Sequence, residues 1–220
     1  MRRYDIVTFD CYGTLIDWES GIYAAFRDAA ARAGGVAPDR GAVLRAYAEH
    51  EPIAEQPPFR PYRDVLAETA QRVAHALGWK ARDTSFLAES LPSWRPFPDT
   101  NAALERLRGA GYRLGILSNV DDDLLAETRK HFTVAFDLVI TAQQVRSYKP
   151  GHAHFLTARA AIGGAPWLHA AESNFHDIVP ANALRIENAW INRRGAPALA
   201  GGVPTLGEFR DLAALADAIA

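Results

Sequence analysis

The stretch DIVTFDCYGT, Asp5 to Thr14, changes character at its middle. Ile6, Val7, Thr8 and Phe9 have the apolar, β-branched make-up of a short buried strand, and Cys11-Tyr12-Gly13-Thr14 is a turn signal. Asp10 therefore stands at the carboxyl end of a first strand. Beyond it, from about Glu19 to Trp94, the pattern is helical and no strand is convincing. A first helix ends at Gly34-Gly35, and a second is expected from Asp39 to about Glu51, stopped by Pro52. A third is expected over Arg60–Leu77, and a shorter one from Asp83 to Leu91, ahead of Pro92. Glu55 to Pro61 (EQPPFRP) reads as a loop.

After Pro96-Phe97-Pro98 the rhythm alternates. Asp99 caps a helix to about Gly109, and Tyr112–Leu117 is strand-like. Asp121–His131 is helical, Phe136–Thr141 a strand, Gly151–Ile162 a helix, Trp167–Ala171 a strand, and Asn174–Ala183 a helix. Leu184–Ile191 is again strand-like, and Leu206–Ala220 is mostly a terminal helix. Strands alternating with helices of this length indicate a parallel sheet covered on both faces. The expected fold is α/β, a doubly wound parallel sheet built from residues 1–17 and 97–220, with an all-helical insert at 18–96. Right-handed crossovers put all strand carboxyl ends on one edge, where open sheets bind ligands. The insert leaves the core at that edge, a position suited to a lid.

Composition narrows the function classes. The chain has 220 residues, with 24 Lys+Arg against 26 Asp+Glu and a net charge of −2. That balance lacks the basic excess of a nucleic-acid binder. A single cysteine, Cys11, excludes a disulfide framework and cysteine-rich zinc sites. No apolar run is long enough to span a bilayer, and the start lacks a signal-peptide core. A soluble cytoplasmic globular protein is the expectation, and any activity must be read from motifs.

The strand ends supply the chemistry. Asp10 follows the first strand, Ser118-Asn119 follow YRLGIL, Lys149 precedes Pro150, and Glu172, Ser173, Asn174 and Asp177 follow WLHAA. A carboxylate is a weak nucleophile unless it is desolvated and held against positive charge. Lys149 would keep Asp10 ionised. Thr14 can hydrogen-bond Asp10, Ser118 and Asn119 offer neutral donors to an anionic substrate, and Asp177 with Asn174 would position a water.

These residues resemble the four motifs of the haloacid dehalogenase superfamily. Phe9-Asp10-Cys11-Tyr12-Gly13-Thr14-Leu15 is similar to the first, Leu117-Ser118-Asn119 to the second, Ser147-Tyr148-Lys149-Pro150 to the third, and Glu172 to Asp177 to the fourth. The resemblance covers essentially the whole chain and implies a Rossmann-like core with a helical cap. Phosphatases of the superfamily carry a second Asp two positions after the nucleophile as general acid. Here that position is Tyr12, a poor acid at neutral pH. A halide leaves without a proton, so the resemblance points to the 2-haloacid dehalogenase branch. It implies attack by Asp10 on C2 of a 2-haloalkanoate, an aspartyl ester, no metal or other cofactor, and often a homodimer. It also implies a cap arginine that receives halide, for which Arg45 has the matching distance from the first motif, with Arg60 and Arg63 as rivals. Cys11, Tyr12, Asn119 and His176 are the expected substrate neighbours. Phe59, Tyr62 and Trp94 are candidates for its apolar wall.

Three departures set the chain apart from that branch. Glu172 and His176 replace the serine and tryptophan of its fourth motif. Phe155 stands where a tyrosine is common, and the insert carries Glu49-His50-Glu51. Asp10, Glu172 and Asp177 together would be enough carboxylates for one Mg²⁺. A Mg²⁺-dependent phosphatase or another C–X hydrolase is therefore the alternative expectation, and a silent binding protein on the same fold a more distant one.

Overall fold

The computed structural model of the protein describes residues 3–79, 81 and 83–220. Six parallel strands form one sheet in the order β3-β2-β1-β4-β5-β6. They are β1 (Ile6–Phe9), β2 (Arg113–Ser118), β3 (Leu138–Thr141), β4 (Trp167–Ala171), β5 (Glu187–Ile191) and β6 (Gly207–Phe209). β1 is central and pairs with β2 on one side and β4 on the other, with Thr8 opposite both Gly115 and His169. All four residues of β1 are buried, as its continuous apolar run requires. Gly115 serves packing: a Cβ there would lie 3.0 Å from the Thr8 methyl.

Helices α5 (Thr100–Gly109), α7 (Ala142–Val145), α8 (Ala153–Ile162), α9 (Val179–Ala183) and α10 (Leu212–Ile219) belong to this part of the chain. Phe155, Ala158 and Ile162 of α8 join Ile6, Leu117 and Ile140 in a buried cluster, with Trp167 at its margin. Asp99 does not cap α5 with its side chain. Its carboxylate instead takes both guanidinium nitrogens of Arg193, at 3.0 and 3.1 Å, and the Leu212 N–H. The terminal segment also holds β6, a strand of three residues too short for any alternation to show.

The chain divides into two compact units. One comprises Met1–Asp17, Pro96–Asn119 and Lys130–Ala220; the other Trp18–Arg95 together with Val120–Arg129. The second is helical, with α1 (Trp18–Arg32), α2 (Arg40–Ala54), α3 (Tyr62–Ala76), α4 (Phe86–Ser90) and α6 (Asp122–Thr128). Pro52 does not stop α2, which runs through it to a closing bond from the Glu55 N–H to the Glu51 carbonyl. The helix after β2, expected in the sheet-bearing unit, belongs here instead. The reason is Asp121: its carboxylate caps α3, accepting the N–H of Tyr62 at 2.8 Å and of Arg63 at 3.0 Å. Trp94 is buried in this unit, packed so closely on Gly21 that a Cβ there would lie 2.3 Å from the indole. Glu51 is not a bare acidic group. It accepts the hydroxyls of Tyr62 at 2.8 Å and Tyr47 at 3.2 Å, and burial with this carboxylate pushes both phenols well above their ordinary pKa.

Candidate active site

Asp10 leaves β1 on a turn that its own sequence closes. The Cys11 carbonyl accepts from the N–H groups of Leu15 and Ile16, and Gly13 turns the chain at φ 101°, a backbone conformation that disfavours side chains. Cys11 is buried, and burial followed by the charge of Asp10 holds its thiol neutral. Tyr12 is half-buried. The turn returns the Thr14 hydroxyl to Asp10 Oδ2 at 2.9 Å. The Glu172 N–H donates to that same hydroxyl at 2.9 Å, so Thr14 gives its one proton to Asp10.

Lys149 supplies the positive charge and is only 1% exposed. Its ammonium donates to Asp10 Oδ1 at 2.8 Å, Asp177 Oδ1 at 2.7 Å and the Leu117 carbonyl at 2.9 Å. All three protons are thereby directed, as a buried ammonium requires. Asn119 fixes the backbone that carries it, accepting the Lys149 N–H at 2.7 Å and donating to the Lys149 carbonyl at 3.0 Å. That makes Asn119 a holder of Lys149, where the sequence suggested a substrate donor.

Two carboxylates therefore share one cation. Burial pushes the Asp10 carboxyl up; Lys149 and Thr14 oppose this, the charge of Asp177 adds to it, and the net shift is upward. Burial also works against Asp177, but Lys149 and His169 overcome it and bring that carboxyl down to about 2. Burial disfavours the Lys149 ammonium, and the two carboxylates more than restore it, holding it charged above its ordinary range. Lys149 contacts Asp10, as expected, and Asp177 as well.

Asp177 lies in one turn of π-helix, Asn174–Ile178, between β4 and α9. Sequence reading expected an ordinary helix from Asn174. A π turn re-aims side chains and recurs at functional sites. Asn174 is engaged away from Asp177. It holds the loop after β5, accepting the Leu199 N–H at 3.1 Å and donating to the Gly202 carbonyl at 2.8 Å. His176 is half-buried and turned onto Ser173, whose hydroxyl lies 3.0 Å from its Nδ1. Ser118 Oγ and Asp177 Oδ2 are buried without a protein partner. Buried polar atoms left so are the natural contacts for substrate or water.

The Mg²⁺ set does not assemble. Lys149 lies between Asp10 and Asp177, and the Glu172 carboxylate is paired with Arg194 at 2.7 Å. No three ligating groups converge among the described residues. The residues present do not fit the ion.

Sequence reasoning missed three supports. His169 bonds Asp177 Oδ1 at 3.0 Å. Arg193 donates to the Thr14 carbonyl at 2.9 Å. The Trp190 indole N–H holds the Glu172 carbonyl at 2.7 Å. Of the insert arginines, Arg60 is paired with Glu68 and Arg63 with Asp123, while Arg45 is exposed and makes no ion pair among the described residues.

A family model described as a haloacid dehalogenase-like hydrolase matches residues 4–170. The chain belongs to the haloacid dehalogenase-like hydrolases. Within that family it is 26% identical to the (S)-2-haloacid dehalogenase H-109 of Pseudomonas putida, over 99% of this chain and 98% of that one. It is 25% identical to the haloacetate dehalogenase H-2 of a Moraxella species, over 89% and 88% of the two chains. The solved structure of the defluorinating L-2-haloacid dehalogenase Rha0230 superposes with a TM-score of 0.82 at 26% identity, covering 98% of this chain and 95% of that one.

Proposed function

We propose that the protein hydrolyses small 2-haloalkanoic acids to 2-hydroxy acids through an ester on Asp10. The observation that carries this is the Lys149 ammonium in contact with both Asp10 and Asp177. It gives the nucleophile a resident cation and leaves no need for a metal. The relatives just described, with dehalogenase names, support the same reading.

A carboxylate oxygen of Asp10 attacks C2; the C–X bond breaks and halide departs with the bonding pair. Ser118 Oγ donates to the substrate carboxylate. A water then attacks Cγ of the Asp10 ester while Asp177 Oδ2 takes its proton. The acyl C–O bond breaks, the alkoxide takes that proton back from Asp177 to give the 2-hydroxy acid, and Asp10 returns carrying one oxygen from water and loses the second water proton to solvent. Tyr12 fits this sequence because halide requires no general acid. A phosphatase would need an acid at that position and a divalent ion on the carboxylates. In the same reading the helical unit acts as the cap domain, the sheet-bearing unit as the catalytic domain, and Arg45 receives halide.

The test is halide release from two- to four-carbon 2-haloacids, with and without EDTA, beside a generic phosphate ester. Halide release indifferent to EDTA is expected. A single turnover in ¹⁸O-labelled water should give unlabelled first product and place the label in Asp10. Label in that first product, or EDTA-sensitive phosphate release without halide, refutes the proposal.

A further inference from the structure

A buried histidine stands behind the base of this reaction. His169 lies in β4, fully buried, with Phe155 edge-on to its ring at 5.2 Å. Its Nε2 is 3.0 Å from Asp177 Oδ1, and its Nδ1 is 2.8 Å from the Thr8 hydroxyl. The Trp167 indole N–H donates to that hydroxyl at 2.7 Å. The register produces the row: Thr8 is opposite His169 on the neighbouring strand, and Trp167 and His169 are two apart in β4 and so share a face.

Proton directions follow from the donor inventory. An indole N–H only donates, and an ionised carboxylate only accepts. A neutral imidazole has one N–H, which must go to Asp177. Nδ1 is then an acceptor, and Thr8 must donate to it. The row runs without a gap from Trp167 through Thr8 and His169 to Asp177.

Its effect falls on one oxygen. Asp177 Oδ1 receives both the Lys149 ammonium and His169 Nε2, while Oδ2 is buried with no protein partner. Two donors on one oxygen fix its position and with it the plane of the carboxylate.

We propose that His169 is a positioning residue for ester hydrolysis: with Lys149 it locks Asp177 by Oδ1, so that Oδ2 is the oxygen presented to the attacking water. This rests on the dehalogenase reading above and assigns the histidine to its second step only. Thr8 and Trp167 set the ring's tautomer.

Two experiments separate this inference from the reading it rests on. In protein with ¹⁵N-labelled histidine, the His169 signal, assigned by its loss in His169→Leu, should show Nε2 protonated and Nδ1 bare. A ring protonated at Nδ1, alone or as imidazolium, overturns the relay whatever the enzyme turns over. In rapid-quench kinetics on a 2-haloacid, His169→Leu should keep the halide burst at the wild-type rate. It should slow hydrolysis of the Asp10 ester about 10- to 100-fold, the range set by losing one hydrogen bond to a charged group. His169→Gln, which keeps a donor of similar reach, should recover most of that loss. Equal loss in the Leu and Gln variants, or a burst slowed as much as hydrolysis, means a packing role and overturns the proposal. A wild-type enzyme inert to every haloacid refutes the dehalogenase reading, and the imidazole spectrum then decides the relay alone.

Discussion

Replacing Lys149 by methionine tests the electrostatic centre of the site without reference to any substrate. At an effective dielectric of about 20, opposite charges 2.8 Å apart attract by about 6 kcal/mol before desolvation is counted. Lys149 makes two such contacts, so their removal leaves two buried carboxylates with no cation. Breaking a buried pair in this way costs about 3–5 kcal/mol. Protonation limits the loss. In Lys149→Met the Asp10 carboxyl, deprived of its cation, is expected to rise further above its unfolded pKa. Such a group is least destabilising at low pH, and the loss grows by about 1.4 kcal/mol per pH unit as pH climbs from the unfolded to the folded pKa.

In the wild type, Lys149 has a raised folded pKa, so its contribution is complete below its unfolded value and constant through the neutral range. Asp10 is already raised in the wild type, so the quantity to follow is the difference between the two proteins. Urea unfolding read by tryptophan fluorescence at pH 5 and pH 8 gives it. We expect a deficit at both, larger at pH 8 by about 2–4 kcal/mol. A deficit below about 1 kcal/mol, or an equal one at the two pH values, refutes a shared cation between two ionised carboxylates.

Two further substitutions probe the supports of the site. Gly202→Ala puts a Cβ 1.8 Å from Asn174 Oδ1, so the loop and the π turn must separate; a loss of about 1–3 kcal/mol in urea unfolding is expected, and a neutral result would show that Asn174 does not hold the loop. Arg193→Lys keeps the charge but loses the two-point contact with Asp99 and the bond to the Thr14 carbonyl, and should cost about 1–3 kcal/mol with a weakened halide burst. Wild-type stability in that variant would remove Arg193 as the clamp of the nucleophile turn.

Residues whose part in the site follows from a strand end were legible in the sequence. Asp10, Ser118, Lys149 and Asp177 each follow an apolar run or precede a proline, and one edge of a parallel sheet collects them. Residues whose part follows from register were not. His169 sits inside WLHAA, where a lone histidine reads as core, and its meaning arises only when β4 pairs with β1 and sets it opposite Thr8. Arg193 is one of 21 arginines, and nothing near NRRG announces that it reaches Thr14 and Asp99. Asp99 reads as the cap of its own helix and Asp121 as the start of another. Each carboxylate caps or pairs with a distant segment instead, because local capping competes with tertiary partners that sequence spacing does not reveal.

The two carboxylates around Lys149 have the same chemistry and the same cation, yet their surroundings drive them apart. Asp10 has Lys149 on one oxygen and a neutral hydroxyl on the other, and burial together with the negative charge of Asp177 raises it. Asp177 has the same ammonium plus an imidazole N–H on a single oxygen, and it is lowered to about 2. Paired titratable groups pushed in opposite directions are how a site divides labour between them. The raised carboxylate is the more basic one and the better nucleophile toward carbon. The lowered one is a weak base, yet in the proposed reaction it would remain ionised while Asp10 is tied up as an ester, and at that stage Lys149 would have lost its charged partner on Asp10. The ammonium then belongs to Asp177 alone, and the second oxygen of Asp177 faces a proton it must accept only briefly. In the proposed reaction, a cation shared in the resting enzyme and released to one carboxylate in the ester would give each acid its own part.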